Sequence, residues 1–282
     1  MNAAPASREQ AIERLRHTEI PAPIVEVARV LQEAGHAAVL VGGAVRDALL
    51  QREHGDWDLA SSATPEEVQA AFRRTIPTGI EHGTITVMVG PHDAREAVEV
   101  TTFRGEGVYL DGRRPSEVRF LRELDEDLAR RDFTINALAW DPIAETFFDS
   151  FGGLDDLQTG RVRAVGVPLQ RFEEDGLRTM RAVRFAAVLE FELDRETEAA
   201  IASALEVFDK VSRERVNVEL FKLLGARRPS LGLEPMLRTG LWERVLGADS
   251  RGEAEASMRA VDALDPDAEL RLARLMWPMR GD

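Results

Sequence analysis

Two segments less than twenty residues apart constrain the start of this chain to strand, turn, helix and strand. Ala37-Ala38-Val39-Leu40-Val41 is an apolar run of strand length, Gly42-Gly43 interrupts it, and Ala44 to Leu50 has the composition of a helix. Asp56-Trp57-Asp58-Leu59-Ala60 then alternates polar with apolar residues. As a strand, this alternation puts both aspartates on one face and sends Trp57 and Leu59 to the other. Two carboxylates on one rigid strand supply the hard oxygen ligands that Mg²⁺ prefers, and magnesium keeps positions open for water and substrate phosphates. Residues without a Cβ let phosphate oxygens approach the backbone, and a following helix start adds free N–H groups. The combination points to phosphoryl chemistry on a triphosphate. Each half also has a bland reading, as a plain turn and as a solvated loop.

The chain has 282 residues and 44% apolar content, enough for two domains with real cores. It has no apolar run near the ~18 residues of a membrane span, and Met1 to His17 is too polar for a signal peptide, so the expectation is a cytoplasmic protein with no membrane partner. With no cysteine, the sequence excludes disulfides, zinc–thiolate sites and thiol catalysis. The histidines show no ligand spacing, which also leaves a phosphohydrolase of HD type without support. A net charge of −14 argues against a surface that attracts nucleic acid everywhere, but it leaves room for a local basic groove. Lys210 and Lys222 are the only lysines, and arginines gather from Arg104 to Arg131 and from Arg161 to Arg184. Arginine's planar fork suits phosphates and base edges, although a coding bias toward Arg and Ala would give the same composition.

Further along, Ile24 to Glu33 reads as a helix ended by Gly35. Thr64-Pro65-Glu66-Glu67 has the pattern of a capping box with proline at the first helical position. Gly83 to Val89 and Ala97 to Phe103 read as strands joined by Gly90-Pro91-His92-Asp93. Glu99 lies within the second of these, where a charge must be paired or exposed; a third metal ligand and an outward-facing glutamate fit equally well. Arg104 to Glu126 is rich in glycine and charge and reads mostly as a mobile loop. A helix is expected from about Asp127, with Arg131, Asp132 and Asn136 on one side and Leu128, Ile135, Leu138 and Ala139 toward the core. Thr146 to Asp149 reads as a strand and Gly152 to Asp156 as a turn. Beyond Pro168 the pattern is helical only: Leu169 to Phe191, Glu196 to Phe208 and Arg213 to Leu224, with weaker helices after Leu233. Asp175 and Arg178 share a face of the first, a spacing that usually marks a surface salt bridge.

Several of these blocks, in order over roughly residues 20 to 225, resemble the class II tRNA nucleotidyltransferase and bacterial poly(A) polymerase family. The stretch from Leu40 through Gly42-Gly43-Ala44-Val45-Arg46-Asp47 to Asp56-Trp57-Asp58 is similar to its nucleotidyltransferase signature. Arg130-Arg131-Asp132-Phe133-Thr134-Ile135-Asn136-Ala137 resembles its ribose-contacting block. Glu174-Asp175-Gly176-Leu177-Arg178, with Arg181 and Arg184-Phe185, resembles its base-selecting block, and Ser212-Arg213-Glu214-Arg215-Val216 with Glu219 its later helical block.

The resemblance implies an α+β fold: a polymerase-β-like head with a mixed sheet and helices, followed by an all-helical neck and a partial body. The expected division is a polar lead over residues 1–20, a head over 21–160, a neck over 161–235 and a short body remnant over 236–282. It implies template-independent addition of C and A to the 3′ end of tRNA from CTP and ATP, with release of pyrophosphate. Asp56, Asp58 and Glu99 would be catalytic and hold two Mg²⁺. Gly42, Gly43, Arg46, Asp47, Arg131, Asp132 and Asn136 would bind the nucleotide and its phosphates, as would Asp175, Arg178, Arg181 and Arg184. Glu174 would orient the helix turn beneath the base.

An Asp175 carboxylate only accepts hydrogen bonds and an Arg178 guanidinium only donates, which suits the amino group and ring nitrogen of cytosine and adenine and rejects uracil and guanine. The segment Tyr109-Leu110-Asp111-Gly112-Arg113-Arg114-Pro115 resembles a flexible element of enzymes that add the terminal A. Gln51 stands where the family often has glycine, and family members are usually longer at the C-terminus. An A-adding enzyme or short poly(A) polymerase, and a non-catalytic RNA-binding protein that kept the fold, are the competing readings.

Overall fold

The computed structural model describes residues 4–53, 55–91, 95–104, 120, 122–247, 258 and 260–276. The chain divides into two compact units, residues 1–108 with 115–158 and residues 109–114 with 159–282. The segment likened to a flexible element, and most of the loop expected after Arg104, lie outside the described residues.

The first unit is built on a mixed seven-stranded sheet. Its strands are β1 (Ala38–Val41), β2 (Asp58–Ser61), β3 (Thr75–Gly79), β4 (Thr84–Val89), β5 (Glu96–Thr102), β6 (Ala139–Asp141) and β7 (Thr146–Phe148), in the order β3-β4-β5-β2-β1-β6-β7. All four residues of β1 are buried, as its unbroken apolar run requires of a central strand. β2 pairs antiparallel with β1 and parallel with β5, while the other pairings are antiparallel.

Around the sheet stand α1 (Arg8–Arg16), α2 (Ala22–Glu33), α3 (Gly43–Leu49), α4 (Pro65–Ala71), α5 (Leu124–Ala129) and α6 (Gly153–Thr159). Val27, Ala28 and Leu31 of α2 are fully buried, and this helix packs across β1, β2, β4 and β5. The capping box at Thr64 is formed in full: Thr64 Oγ1 accepts from the Glu67 N–H at 3.3 Å and Glu67 Oε2 from the Thr64 N–H at 2.8 Å.

The structure adds to or departs from the sequence reading at five points here. The polar lead carries α1, which Ser7 caps by accepting from the Gln10 N–H. The unforeseen β3 is a largely exposed edge strand containing Pro77, so it lacks the alternation that marks a half-buried strand. Asp56 and Trp57 precede β2, which begins at Asp58. No single helix runs from Asp127 to Ala139: α5 stops at Ala129, a 3₁₀ turn covers Thr134–Asn136, and Ala139 opens β6. The segment from Gly153 is a helix and not a turn, because both Asp149 carboxylate oxygens cap it, accepting from the N–H groups of Gly153 at 2.7 Å and Leu154 at 3.0 Å.

Gln51 follows the C-cap of α3 with φ at +51°, in the left-handed region that glycine occupies without strain. Gln51→Gly is therefore expected to stabilise the protein by about 0.5 kcal/mol, less than the full left-handed penalty because glycine loses more entropy on folding. A higher denaturation midpoint at unchanged denaturant slope is the measurement; a lower midpoint would contradict it.

In the second unit, β8 (Arg161–Val162) and β9 (Glu192–Leu193) form a short parallel pair that a purely helical reading did not include. Helices α7 (Pro168–Glu174), α8 (Leu177–Leu189), α9 (Arg195–Ser203), α10 (Leu205–Phe208), α11 (Arg213–Leu224), α12 (Ser230–Thr239) and α13 (Leu241–Leu246) follow. The single helix expected over Leu169 to Phe191 is broken at Asp175-Gly176. Asp175 is extended, and a Cβ on Gly176 would sit 2.7 Å from the Val207 carbonyl oxygen and 2.8 Å from the Phe208 Cα. Close backbone packing on α10 thus explains both the glycine and the break. α11 has the bounds expected from its pattern.

Candidate active site

The first unit brings three carboxylates to one edge of its sheet. Val41 pairs with Asp58, and Leu59 pairs with Val100 in the parallel β2–β5 register, which sets Asp58 level with Glu99. Trp57 and Leu59 are buried while Asp56, Asp58 and Glu99 are exposed, so the alternation read from the sequence holds although the ladder starts two residues later. All three carboxylates line one cleft of about 920 Å³, with Glu96, Trp57 and the start of α2 at Pro23 and Ile24. Burial by the cleft walls pushes the Asp58 carboxyl above its ordinary range; Arg131 opposes this, and the negative charges of Glu99 and Asp56 reinforce it. Among the described residues no three His, Cys, Asp or Glu side chains are already drawn together as a metal site. The donor set still suits a hard divalent cation, since oxygen-only carboxylates with unrelieved like charge are what such an ion neutralises.

The glycine turn abuts this edge from β1. Gly42 has φ at +79°, and its N–H donates to the Leu138 carbonyl at 3.1 Å. A Cβ there would lie 2.8 Å from Arg131 Nη1, so the missing side chain is what admits the guanidinium. Gly43 opens α3, whose seven residues make its dipole a minor contribution.

Arg131 thus stands against the Gly42 turn and within electrostatic range of Asp58. Its Nη2 donates to Asp127 Oδ2 at 3.2 Å and its Nη1 to the Asn136 carbonyl at 3.4 Å. Asp127, which sequence reasoning did not single out as functional, also accepts from Arg130 Nε at 3.2 Å and from the Arg104 N–H at 3.1 Å. Burial works to raise the Asp127 pKa, but Arg131 and Arg130 outweigh it and hold the carboxyl below its usual range. A carboxylate three residues before a double arginine was the available signal.

Behind the turn runs a buried polar chain. Arg46 donates through Nε and Nη2 to both Asp47 carboxylate oxygens at 2.8 Å and through Nη1 to Asn136 Oδ1. Asn136 Nδ2 donates to Asp132 Oδ1 at 3.0 Å, which also accepts from the Phe133 N–H at 2.8 Å. Arg46, Asp132 and Asn136 are all buried, so this chain ties the ribose-block residues to α3. Thr134 Oγ1 donates to buried Asp156 at 2.6 Å and anchors the same turn to α6.

In the second unit Asp175 and Arg178 engage different partners. Asp175 Oδ1 accepts from the Leu177 N–H at 3.0 Å, and Oδ2 accepts from Arg215 Nη2 at 2.7 Å. Arg178 Nη1 donates to Glu174 Oε2 at 2.6 Å and to the Arg171 carbonyl at 3.1 Å, while Arg171 Nη1 reaches the same Glu174 oxygen at 2.8 Å. Glu174 thereby fixes Arg178 across the helix break.

Glu219, buried on α11, accepts from Arg184 Nε and lies 4.0 Å from Arg181. The Arg184 guanidinium also stacks 3.7 Å from the Phe185 ring centroid. Arg171, Arg215 and Glu219 were not singled out as site residues; Arg215 and Glu219 act on residues of other elements, whereas Arg171 stands three residues before Glu174 in α7, a spacing that was the available signal. Glu219→Ala removes the carboxylate that Arg184 Nε donates to in a largely dry position and is expected to cost about 3 kcal/mol. Chemical denaturation measures it, and a loss below about 1 kcal/mol would mean that the pair is solvated.

Residues 38–163 match the family model described as the poly(A) polymerase head domain, and residues 190–247 match that for the probable RNA and SrmB-binding site of polymerase A. A CCA-adding enzyme of Levilactobacillus brevis is 50% identical over 77% of this chain and 53% of its own length. The CCA-adding enzyme of Enterococcus faecalis is 43% identical over 94% of this chain and 69% of its own. The crystal structure of the Bacillus stearothermophilus CCA-adding enzyme in complex with CTP superposes with a TM-score of 0.74 at 39% identity, covering 86% of this chain and 58% of that one. A tRNA nucleotidyltransferase complexed with a primer tRNA and an incoming ATP analogue gives a TM-score of 0.68 at 30% identity, covering 90% of this chain and 75% of that one. The chain therefore spans about half to three quarters of the length of these relatives. Its fold is the mixed α+β architecture of their polymerase-β-like head followed by helices. Among the described residues no helix is long and apolar enough to cross a membrane.

Proposed function

Because the chain belongs to the family of CCA-adding enzymes and bacterial poly(A) polymerases, we propose that it is a template-independent nucleotidyltransferase that adds C and A to the 3′ end of tRNA. The observation that carries this reading is the β2–β5 register, which brings Asp58 level with Glu99 in the cleft that Asp56 also lines, with the Gly42 turn following Val41, the β1 partner of Asp58. Asp56, Asp58 and Glu99 are the proposed ligands of two Mg²⁺, whose chemistry when bound is Lewis acidity at an attacking hydroxyl and charge neutralisation at a leaving pyrophosphate.

The chain's own residues do the rest. The backbone at Gly42-Gly43 gives phosphate oxygens close approach, and Arg131, already beside it, offsets their charge. The chain Arg46–Asp47–Asn136–Asp132 keeps that turn and the ribose-block residues in one arrangement, so little ordering remains to be done when nucleotide binds. Base choice falls to Asp175 and Arg178 of the second unit, with Glu174 as the residue that orients Arg178. Arg181 and Arg184, held by Glu219, support the same helix. The functional division we propose is a head over residues 21–160, a neck over 161–235 and a short body segment over 236–282.

The test is incorporation. Purified chain receives tRNA ending at the discriminator base, Mg²⁺, and CTP and ATP singly and together. CTP alone should give two additions, and both nucleotides should give three. Addition of A only, and only to a CC end, would select an A-adding enzyme, and long A tails a poly(A) polymerase. Metal-dependent binding of CTP and ATP without incorporation would select the non-catalytic reading.

A further inference from the structure

A second groove on the first unit carries the opposite charge from the carboxylate cleft. It encloses about 570 Å³ and is lined by Arg73, Arg74 and Arg95 together with Glu26, Met88 and Gly90. Among the described residues its one acidic lining residue, Glu26, already accepts from Arg29. The Arg73 and Arg74 side chains are exposed and make no hydrogen bond or ion pair among the described residues. In a chain of net charge −14, arginines left unneutralised and side by side define a local anion site.

The sheet fixes where this groove lies. The Met88 N–H donates to the Arg74 carbonyl at 3.1 Å, Val89 pairs with Glu96, and Leu59 pairs with Val100. Arg74, the end of β4, the start of β5 and Asp56 to Asp58 are therefore neighbours along one edge of the sheet. With strands about 4.8 Å apart, the step from β3 to β2 is roughly 14 Å. A nucleic-acid strand in a helix presents a phosphate about every 3.4 Å along the axis, so this distance is about four nucleotides.

We propose that the groove at Arg73, Arg74 and Arg95 binds the phosphate backbone of the RNA substrate a few nucleotides from its reacting end. RNA as the occupant rests on the nucleotidyltransferase reading, while the anion site itself rests on the unpaired arginines. Arginine forks suit phosphodiesters, and the acidic edge beyond β5 discourages the backbone from sliding past the groove.

The experiment compares the full chain with the double variant Arg73→Ala/Arg74→Ala, by fluorescence anisotropy of tRNA lacking CCA over a range of salt. Affinity at low salt should fall roughly tenfold, and the slope of log K against log salt should shrink by about 2. The KM for CTP and the melting temperature should not move, because both side chains are exposed and carry no hydrogen bond or ion pair among the described residues. Arg73→Lys/Arg74→Lys should restore most of the slope. Unchanged affinity and slope in the alanine variant would overturn the proposal. So would inorganic phosphate raising the wild-type melting temperature but not the variant's while both bind RNA alike, since the groove would then hold only a free anion. Wild type that binds RNA through these arginines but never incorporates nucleotide would sink the functional reading and leave this surface standing. Incorporation with RNA binding indifferent to both arginines would do the reverse.

Discussion

Asp58→Asn should lower the rate of nucleotide incorporation by about a thousandfold, some 4 kcal/mol of transition-state stabilisation, while the folded protein becomes no less stable. The activity loss follows from removing an ionic oxygen ligand where Asp56, Asp58 and Glu99 share a cleft. The stability outcome follows from the same crowding. Burial raises the Asp58 pKa, Arg131 opposes it, and Glu99 and Asp56 add to the rise. A carboxyl whose folded pKa is raised is destabilising once ionised, so a neutral isostere removes a cost at neutral pH. Loss of activity with retained or increased stability is the signature of a group kept for chemistry. Two measurements decide it: single-turnover incorporation, and the shift in melting temperature on adding Mg²⁺, which should be smaller in Asp58→Asn than in wild type. Incorporation within tenfold of wild type would remove Asp58 from the proposed ligand set.

The second large effect is on nucleotide choice. Asp175 can offer a base only acceptor oxygens, so the O4 of uracil meets an acceptor where cytosine presents an amino donor. Such a mismatch costs about 1–3 kcal/mol when buried, or roughly 5- to 150-fold in discrimination. Asp175→Asn keeps the oxygen that accepts from the Leu177 N–H and puts an amide donor where Oδ2 now accepts from Arg215. The ratio of kcat/KM for CTP over UTP is therefore expected to fall about ten- to a hundredfold, with UTP use rising in absolute terms. If all nucleotides slowed equally and the ratio held, Asp175 would be a residue that shapes the helix break, not one that reads the base.

Much of the local structure was legible in the residue order. The buried run Ala38–Val41, the capping box at Thr64 and the bounds of α11 each follow from period, composition or cap chemistry within a few residues. The failures share a cause. The segment from Asp127 to Ala139 has a helical spacing of apolar residues, and Leu128, Ile135, Leu138 and Ala139 are indeed fully buried, but they reach the core through a short helix, a 3₁₀ turn and a strand. Pairing with Leu40 and Val41 of β1 gives β6 its ladder, and no local window contains that partner. Likewise, the break at Gly176 is imposed by backbone packed against it from α10, more than thirty residues on.

The sequence by itself determined which residues could do chemistry: alternating carboxylates before a buried strand, a glycine pair after another, and an arginine-rich pair of blocks. Only the tertiary structure decided their company. It set Glu99 level with Asp58 through a parallel register that must first pass through the β3–β4 hairpin. It brought Arg131 against Gly42 because no Cβ stands there, and it gave Asp175 to Arg215 and Arg178 to Glu174. Spacing along a chain reports which residues share a face over a turn or two. Which faces meet depends on long-range pairing, where burial of the whole sheet and helix set outweighs any local preference.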